Sequence, residues 1–263
     1  EYQVAVRASM YKAAKDLAPA DRSTYGSILV MNGDTAGGID QFERSLVNDT
    51  VRTAQQRLET ELAVVNLLYK QKRFEEAGEI FLKIAEQSPS IDWYVSAGQS
   101  FSAAKKTDRA KAAYDKALAI DPNSLKTRLQ LAVDAQSADA TSDAALATFG
   151  ELKKAAEAKG SKDTAAVAEG FIGYHYIALK DWKQAAEHLE LSVKGLEGTT
   201  SAYLPSFTIL LAGALLQTQE LEKAKQYYEK VLKANPANED AKKGIEYINT
   251  VQAQGKGAKK GKK

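Results

Sequence analysis

Cysteine is absent from this chain, and with it go disulfides, thiolate metal sites and a cysteine nucleophile. That absence suits an exported bacterial protein slightly better than a cytosolic one, and periplasm, envelope and cytoplasm all stay open as compartments. Proline is scarce, five in 263 residues. Alanine, leucine, lysine and glutamate abound, and β-branched residues seldom alternate, so the composition reads as nearly all helix. No apolar run approaches the roughly 18 to 20 uncharged residues that a membrane span requires. Residues 1–20 lack the cationic segment, apolar core and small-residue cleavage site of a signal peptide. The expectation is a soluble chain that does not span a membrane.

An excess of one charge is also missing. The formal net charge is +2, but five of the 36 basic residues (Lys256, Lys259, Lys260, Lys262 and Lys263) fall in the last eight positions, and setting them aside leaves 31 basic against 34 acidic residues. The body therefore argues against nucleic acid as a partner. The lysine end carries no aromatics and reads as a solubilising tail. If it were instead a nucleic-acid adaptor, its binding would weaken steeply with salt and vanish on deletion of residues 255–263.

Catalytic constellations are equally sparse. The two histidines, His175 and His188, have no HExxH-type partner and read as surface or boundary residues rather than a metal pair. The stretch Asn32-Gly33-Asp34-Thr35-Ala36-Gly37-Gly38 lacks the Gly-Lys-Ser/Thr ending of a phosphate loop, and reads as a turn between helices. No nucleophile-elbow pattern occurs. No enzyme activity, metal or cofactor is expected.

What is present is a repeat. Ala77, Phe81 and Pro89 recur as Ala110, Tyr114 and Pro122, then as Ala224, Tyr228 and Pro236; each small residue precedes its aromatic by four and its proline by twelve, and the first two sets lie 33 residues apart. Such a period marks a solenoid of helix pairs, in which each repeat buries its apolar face against its neighbours. Residues 91–124 show it most clearly. Tyr94, Ala97, Gly98 and Phe101 share one stripe of a first helix, Lys106-Thr107-Asp108 form a turn, and Ala110, Tyr114 and Ala117 line a second helix that ends at Asp121-Pro122-Asn123.

This pattern resembles the tetratricopeptide repeat (TPR) family, whose 34-residue unit has a large residue, a small one and an aromatic in its first helix, then Ala, an aromatic, Ala and Pro in its second. The resemblance implies an all-α solenoid of helix-turn-helix units wound into a right-handed superhelix. Further units follow at 58–90 (Val64, Val65, Leu68, then Phe74, Ala77, Phe81, Ile84), at 166–204 with an extended loop (Ile172, Gly173, Tyr176, then Trp182, Ala185, Leu189) and at 205–238 (Leu211, Ala212, Leu215, then Leu221, Ala224, Tyr228). Two are degenerate. Residues 125–165 contain an insertion and need one extra residue in the turn Ser137 to Asp143. In 20–57 the second helix is expected to run on towards Gln56. Residues 1–19 read as the second half of a truncated repeat, 239–253 as a capping helix with Ile245, Ile248 and Val251 inward, and 254–263 as a disordered Lys/Gly tail.

In the TPR family, first helices line a concave groove, and the resemblance places there, among others, Leu62, Asn66, Tyr69 and Lys70, then Val95 and Gln99, then Leu129, Val133 and Gln136, then Tyr174 and Ile177, and in the last repeat Ser206 and Ile209. No ring of Lys, Arg and Asn forms, which disfavours capture of a chaperone's carboxylate. Apolar residues with interspersed amides suit an extended peptide or an amphipathic helix of a protein partner. The same apolar residues would equally serve as half-buried structural positions. The expected function is thus a non-catalytic scaffold or adaptor. The alternative is the regulatory or docking region of a longer protein with a catalytic domain upstream of Glu1. Solenoids also pair through their ends, so a homodimer is a further arrangement open to the chain.

Overall fold

The structure is a computed structural model and describes residues 10–11, 17–47 and 49–260, with side chains as far as 254. The described residues contain thirteen helices and no strand: α1 (Pro19–Met31), α2 (Thr35–Leu46), α3 (Ala54–Lys70), α4 (Phe74–Gln87), α5 (Ile91–Ala103), α6 (Thr107–Ile120), α7 (Leu125–Ala138), α8 (Asp143–Ala158), α9 (Lys162–Ala178), α10 (Trp182–Leu196), α11 (Leu204–Gln217), α12 (Leu221–Ala234) and α13 (Glu239–Lys260). They fall into two compact units, Glu1–Pro122 and Asn123–Lys263. The expected half-repeat at 1–19 lies almost wholly outside the described residues.

Helix pairs are closed by a recurring turn. Gly33, Lys72, Lys105, Lys180 and Gln219 each take positive φ one residue past a first helix's C-cap. The next backbone N–H then reaches five residues back into the helix, as in Arg73 to Leu68 (2.9 Å), Lys106 to Phe101 (2.8 Å) and Asp181 to Tyr176 (2.9 Å). This is the Schellman arrangement, which satisfies carbonyls that the helix end leaves open. Four of these five positions carry a residue other than glycine, so the turn holds against a local strain of roughly 1 kcal/mol each. The connection between α7 and α8 departs from the pattern: it has four residues, Asp139 to Ser142, with no positive φ, and Asp139 caps it by accepting from the Thr141 N–H at 2.9 Å.

Packing follows the small residues. In the N-terminal unit each helix packs on the next from α1 to α6. A Cβ at Gly98 would lie 2.2 Å from the Tyr114 ring, so α5 and α6 approach only because position 98 has no side chain. In the C-terminal unit the chain of contacts runs from α7 to α13, and first helices also touch first helices, α7 with α9 and α9 with α11. Its main cluster joins Ala185, Leu189, Leu196, Phe207, Leu211 and Tyr228, and a second centres on Ala132, Phe149, Leu152 and Ile172.

Two boundaries differ from the sequence expectation. Helix α2 stops at Leu46 instead of continuing towards Gln56. The buried Asp49 carboxylate draws the N–H groups of Val51 (3.1 Å) and Arg52 (3.2 Å) into a turn, and Thr53 opens α3 with a capping box to Gln56. Arg52 pairs with that carboxylate, reaches Ser23 and Thr60 at 3.0 Å each and bonds the Ser45 carbonyl, tying α1, α2 and α3 together. The insertion at 153–165 lengthens helices α8 and α9 and leaves Lys159 to Ser161 between them. Helix α13 continues past 253 to Lys260, in spite of the poor helix formers Gly255 and Gly257.

Candidate partner-binding surface

In the N-terminal unit the first helices α3 and α5 carry Leu62, Asn66, Tyr69, Lys70, Val95 and Gln99. Asn66, Tyr69, Lys70 and Gln99 are exposed and Leu62 is half-buried. Tyr69 is 38% exposed yet fixed at both ends of its ring. Its hydroxyl lies 2.6 Å from Ser100 Oγ, whose own proton goes to the Ser96 carbonyl at 2.7 Å, so the tyrosine is the donor. Its ring meets Phe74 edge-on, with centroids 5.3 Å apart. A large amphipathic side chain held in one place costs little entropy when it binds. Val95 does not join this surface: it is 1% exposed, because α5 is packed between α4 and α6.

In the C-terminal unit α7 contributes Leu129, Val133 and Gln136, and α9 contributes Tyr174 and Ile177. Tyr174 is 40% exposed. Leu129, Val133 and Ile177 are half-buried against the core clusters, so each shows only part of its side chain. Gln136 is buried, and its amide donates to the Phe171 carbonyl of α9 at 2.9 Å. The expectation that Gln136 would hydrogen-bond a partner's backbone is therefore corrected: that capacity is used inside the protein, where it joins two first helices.

Of the two histidines, His175 departs from expectation, whereas His188 is a boundary residue as expected. His175 is fully buried, its ring edge-on to Tyr176 at 5.5 Å. His188 Nδ1 lies 2.6 Å from Glu169 Oε2, and the Tyr176 ring stacks on the His188 imidazole at 5.4 Å. Lys153 pairs with the other Glu169 oxygen. Burial pushes the Glu169 carboxyl up, but the hydrogen bonds from His188 and Lys153 outweigh it and hold the group below the ordinary carboxylate range. Sequence reasoning missed this cluster although a signal existed. Glu169 is the fourth residue of its repeat, where the clearest repeat has Tyr94, and Glu61 stands at the same place in the repeat 58–90. No group of three or more His, Cys, Asp or Glu suited to hold a metal occurs among the described residues, and no described helix is long and apolar enough to cross a membrane.

Paired helices closed by a shared turn, small residues at the close contacts and a terminal helix beyond the last pair define an α-solenoid. The tetratricopeptide repeat model matches residues 92–124 and 209–238, so two of the helix pairs are tetratricopeptide repeats. Solved structures share the fold at low identity. Yeast Tom70 superposes with a TM-score of 0.62 at 14% identity over 91% of this chain and 48% of its own. The signal transduction ATPase with a tetratricopeptide repeat sensor from Pyrococcus horikoshii gives 0.59 at 15% over 89% of this chain and 39% of its own. RapI in its apo form gives 0.56 at 15% over 90% of this chain and 69% of its own. The chain thus spans less than half the length of the first two. No curated protein matches it in sequence. The TPR fold is in general a scaffold for protein interaction.

Proposed function

We propose that this chain is a non-catalytic scaffold that takes a peptide or helix of a protein partner on the faces of its first helices, with Asn66, Tyr69, Lys70 and Gln99 in one unit and Leu129, Val133, Tyr174 and Ile177 in the other. The observation that carries this reading is the pair of exposed tyrosines, Tyr69 and Tyr174, each on a first helix of a well-packed repeat. Aromatic side chains of this kind supply binding area at a modest cost in conformational entropy, and they are enriched among residues that dominate interfaces. A photo-crosslinking amino acid at position 69 or 174 is expected to trap a partner in cell extract, and the same group at Lys111 or Glu187, exposed on second helices, is not. Trapping from the second-helix positions alone would move the interface to the opposite face.

A second reading takes the chain as the docking region of a longer protein. The resemblance to a STAND ATPase, where a tetratricopeptide repeat sensor stands beside other domains and the chain spans 39% of the whole, favours it. Sequencing the complete reading frame tests it: a contiguous catalytic domain would support it, and a frame without one would reject it.

A further inference from the structure

Two connections in the chain are seven residues long, 47–53 between α2 and α3 and 197–203 between α10 and α11, whereas the other joints between repeats have three or four. The first is filled, since Arg52 reaches into three helices from it. The second folds to one side. Thr199 caps α10 by donating to the Leu196 carbonyl at 2.8 Å, and Tyr203 stacks on Phe207 (5.7 Å) and meets Phe171 edge-on (5.3 Å). On the other side it leaves a half-enclosed cavity of about 550 Å³ between the end of α10, the start of α11 and the end of α12.

The walls are apolar, with Val193, Leu204, Ile209 and Val231, and the rim is polar. Lys230 Nζ lies 2.9 Å from Glu197 Oε1, so the two charges at the mouth neutralise one another. Asn235 and Asn238 each commit the side-chain oxygen to a backbone N–H, that of Ala237 at 3.1 Å and that of Ala241 at 2.9 Å, which leaves their amide NH2 groups as donors. A neutral mouth, donor groups on the rim and an apolar interior within the size range of ligand sites select an uncharged occupant with hydrogen-bond acceptors beside an apolar side chain. We propose that this cavity is a second binding site, one that lodges a large aliphatic side chain of an extended partner peptide while the peptide's backbone carbonyls accept from Asn235 and Asn238. Two of its lining residues, Ser206 and Ile209, are positions the family pattern places in the groove, so the proposal rests in part on the first-helix reading, while its readout involves neither Tyr69 nor Tyr174.

The test is an NMR titration of the whole chain with the capped peptide acetyl-Ala-Leu-Leu-Ala-amide, with acetyl-Ala-Glu-Glu-Ala-amide and with N-acetyl-leucine methylamide. Saturable shifts at residues 193, 209, 231, 235 and 238 are expected with the leucine peptide, and at least tenfold weaker binding with the glutamate peptide. Ala234→Phe and Ser206→Trp, both at exposed positions of the rim, should each weaken the leucine peptide by tenfold or more without changing the spectrum elsewhere. Tighter binding of the single amide than of the peptide would reassign the cavity to a small molecule and overturn the peptide claim. Absence of saturable shifts, or binding indifferent to both plugging variants, would overturn the site itself.

Discussion

Glu61 in the N-terminal unit and Glu169 in the C-terminal unit occupy the same place in their repeats, are each about 5% exposed, and are treated differently. Glu169 has two partners that close on both carboxylate oxygens, and Tyr176 stacks on one of them. Glu61 has one, Lys83 at 3.2 Å, and borders a cavity of about 260 Å³ that is also lined by Glu43, Leu46, Val47, Val64 and Ile80. Burial and the neighbouring Glu76 carboxylate push the Glu43 carboxyl up, against the pull of Arg73. An acid in place of a large apolar residue is thus accommodated when basic groups from adjoining second helices reach it, and the number that do decides how firmly. The N-terminal unit offsets its looser acid elsewhere, through the Arg52–Asp49 pair that joins three helices. There burial raises the Asp49 carboxyl, but the N–H groups of Arg52 and Val51 and the Arg52 guanidinium prevail and lower it.

Paired substitutions in the two units sharpen this contrast. Phe101 and Phe149 are both fully buried, so Phe101→Ala and Phe149→Ala should each cost about 3–5 kcal/mol, read as loss of hydrogen-exchange protection in the unit concerned. Glu169→Ala should cost about 1.5–3 kcal/mol, because it removes charged hydrogen bonds from a buried site. Glu61→Ala should cost less; equal losses would break the comparison. The pH dependence follows from the direction of the Glu169 shift. Its folded value lies below the unfolded one, so its stabilisation is complete above the unfolded carboxylate range and is lost as the pH falls through the folded value. Acid titration of the Glu169→Ala protein should therefore show a shallower loss of stability than wild type. Glu43 works in the opposite direction, since a raised folded value favours the fold as the proton binds.

Smaller effects come from contacts the two units share. Ala110 is 3% exposed and Ala185 is fully buried, and Ala110→Leu and Ala185→Leu should each destabilise by about 1–3 kcal/mol through overpacking. An unchanged denaturant midpoint at both positions would mean that the helices are out of register. The smallest effect has the other sign. Lys105→Gly and Lys180→Gly relieve positive φ at 59° and 60°, and each should stabilise its unit by up to about 1 kcal/mol in thermal or urea unfolding.

The repeat was legible because its signals are local. Ala110, Tyr114 and Pro122 state a helix, its partner and its end within thirteen residues, and the same spacing recurs at Ala77, Phe81 and Pro89 and at Ala224, Tyr228 and Pro236. The surface was less legible, because whether a first-helix residue faces outward depends on its neighbours in space. Val95 and Gln136 hold groove positions in the family pattern, yet one is covered by the helices on either side of α5 and the other bonds to α9. The end of α2 escaped for a different reason. Asp49 and Arg52 are ordinary helix-surface residues in sequence, and only the approach of Ser23 and Thr60 turns them into a clamp.

The scaffold reading rests most directly on Tyr69 and Tyr174. The decisive measurement is the affinity of a captured partner for wild type and for the Tyr69→Ala/Tyr174→Ala protein, with unfolding midpoints recorded alongside. A loss of tenfold or more, with both proteins still fully folded at the assay temperature, is the predicted result, and equal affinity for the two proteins would contradict it.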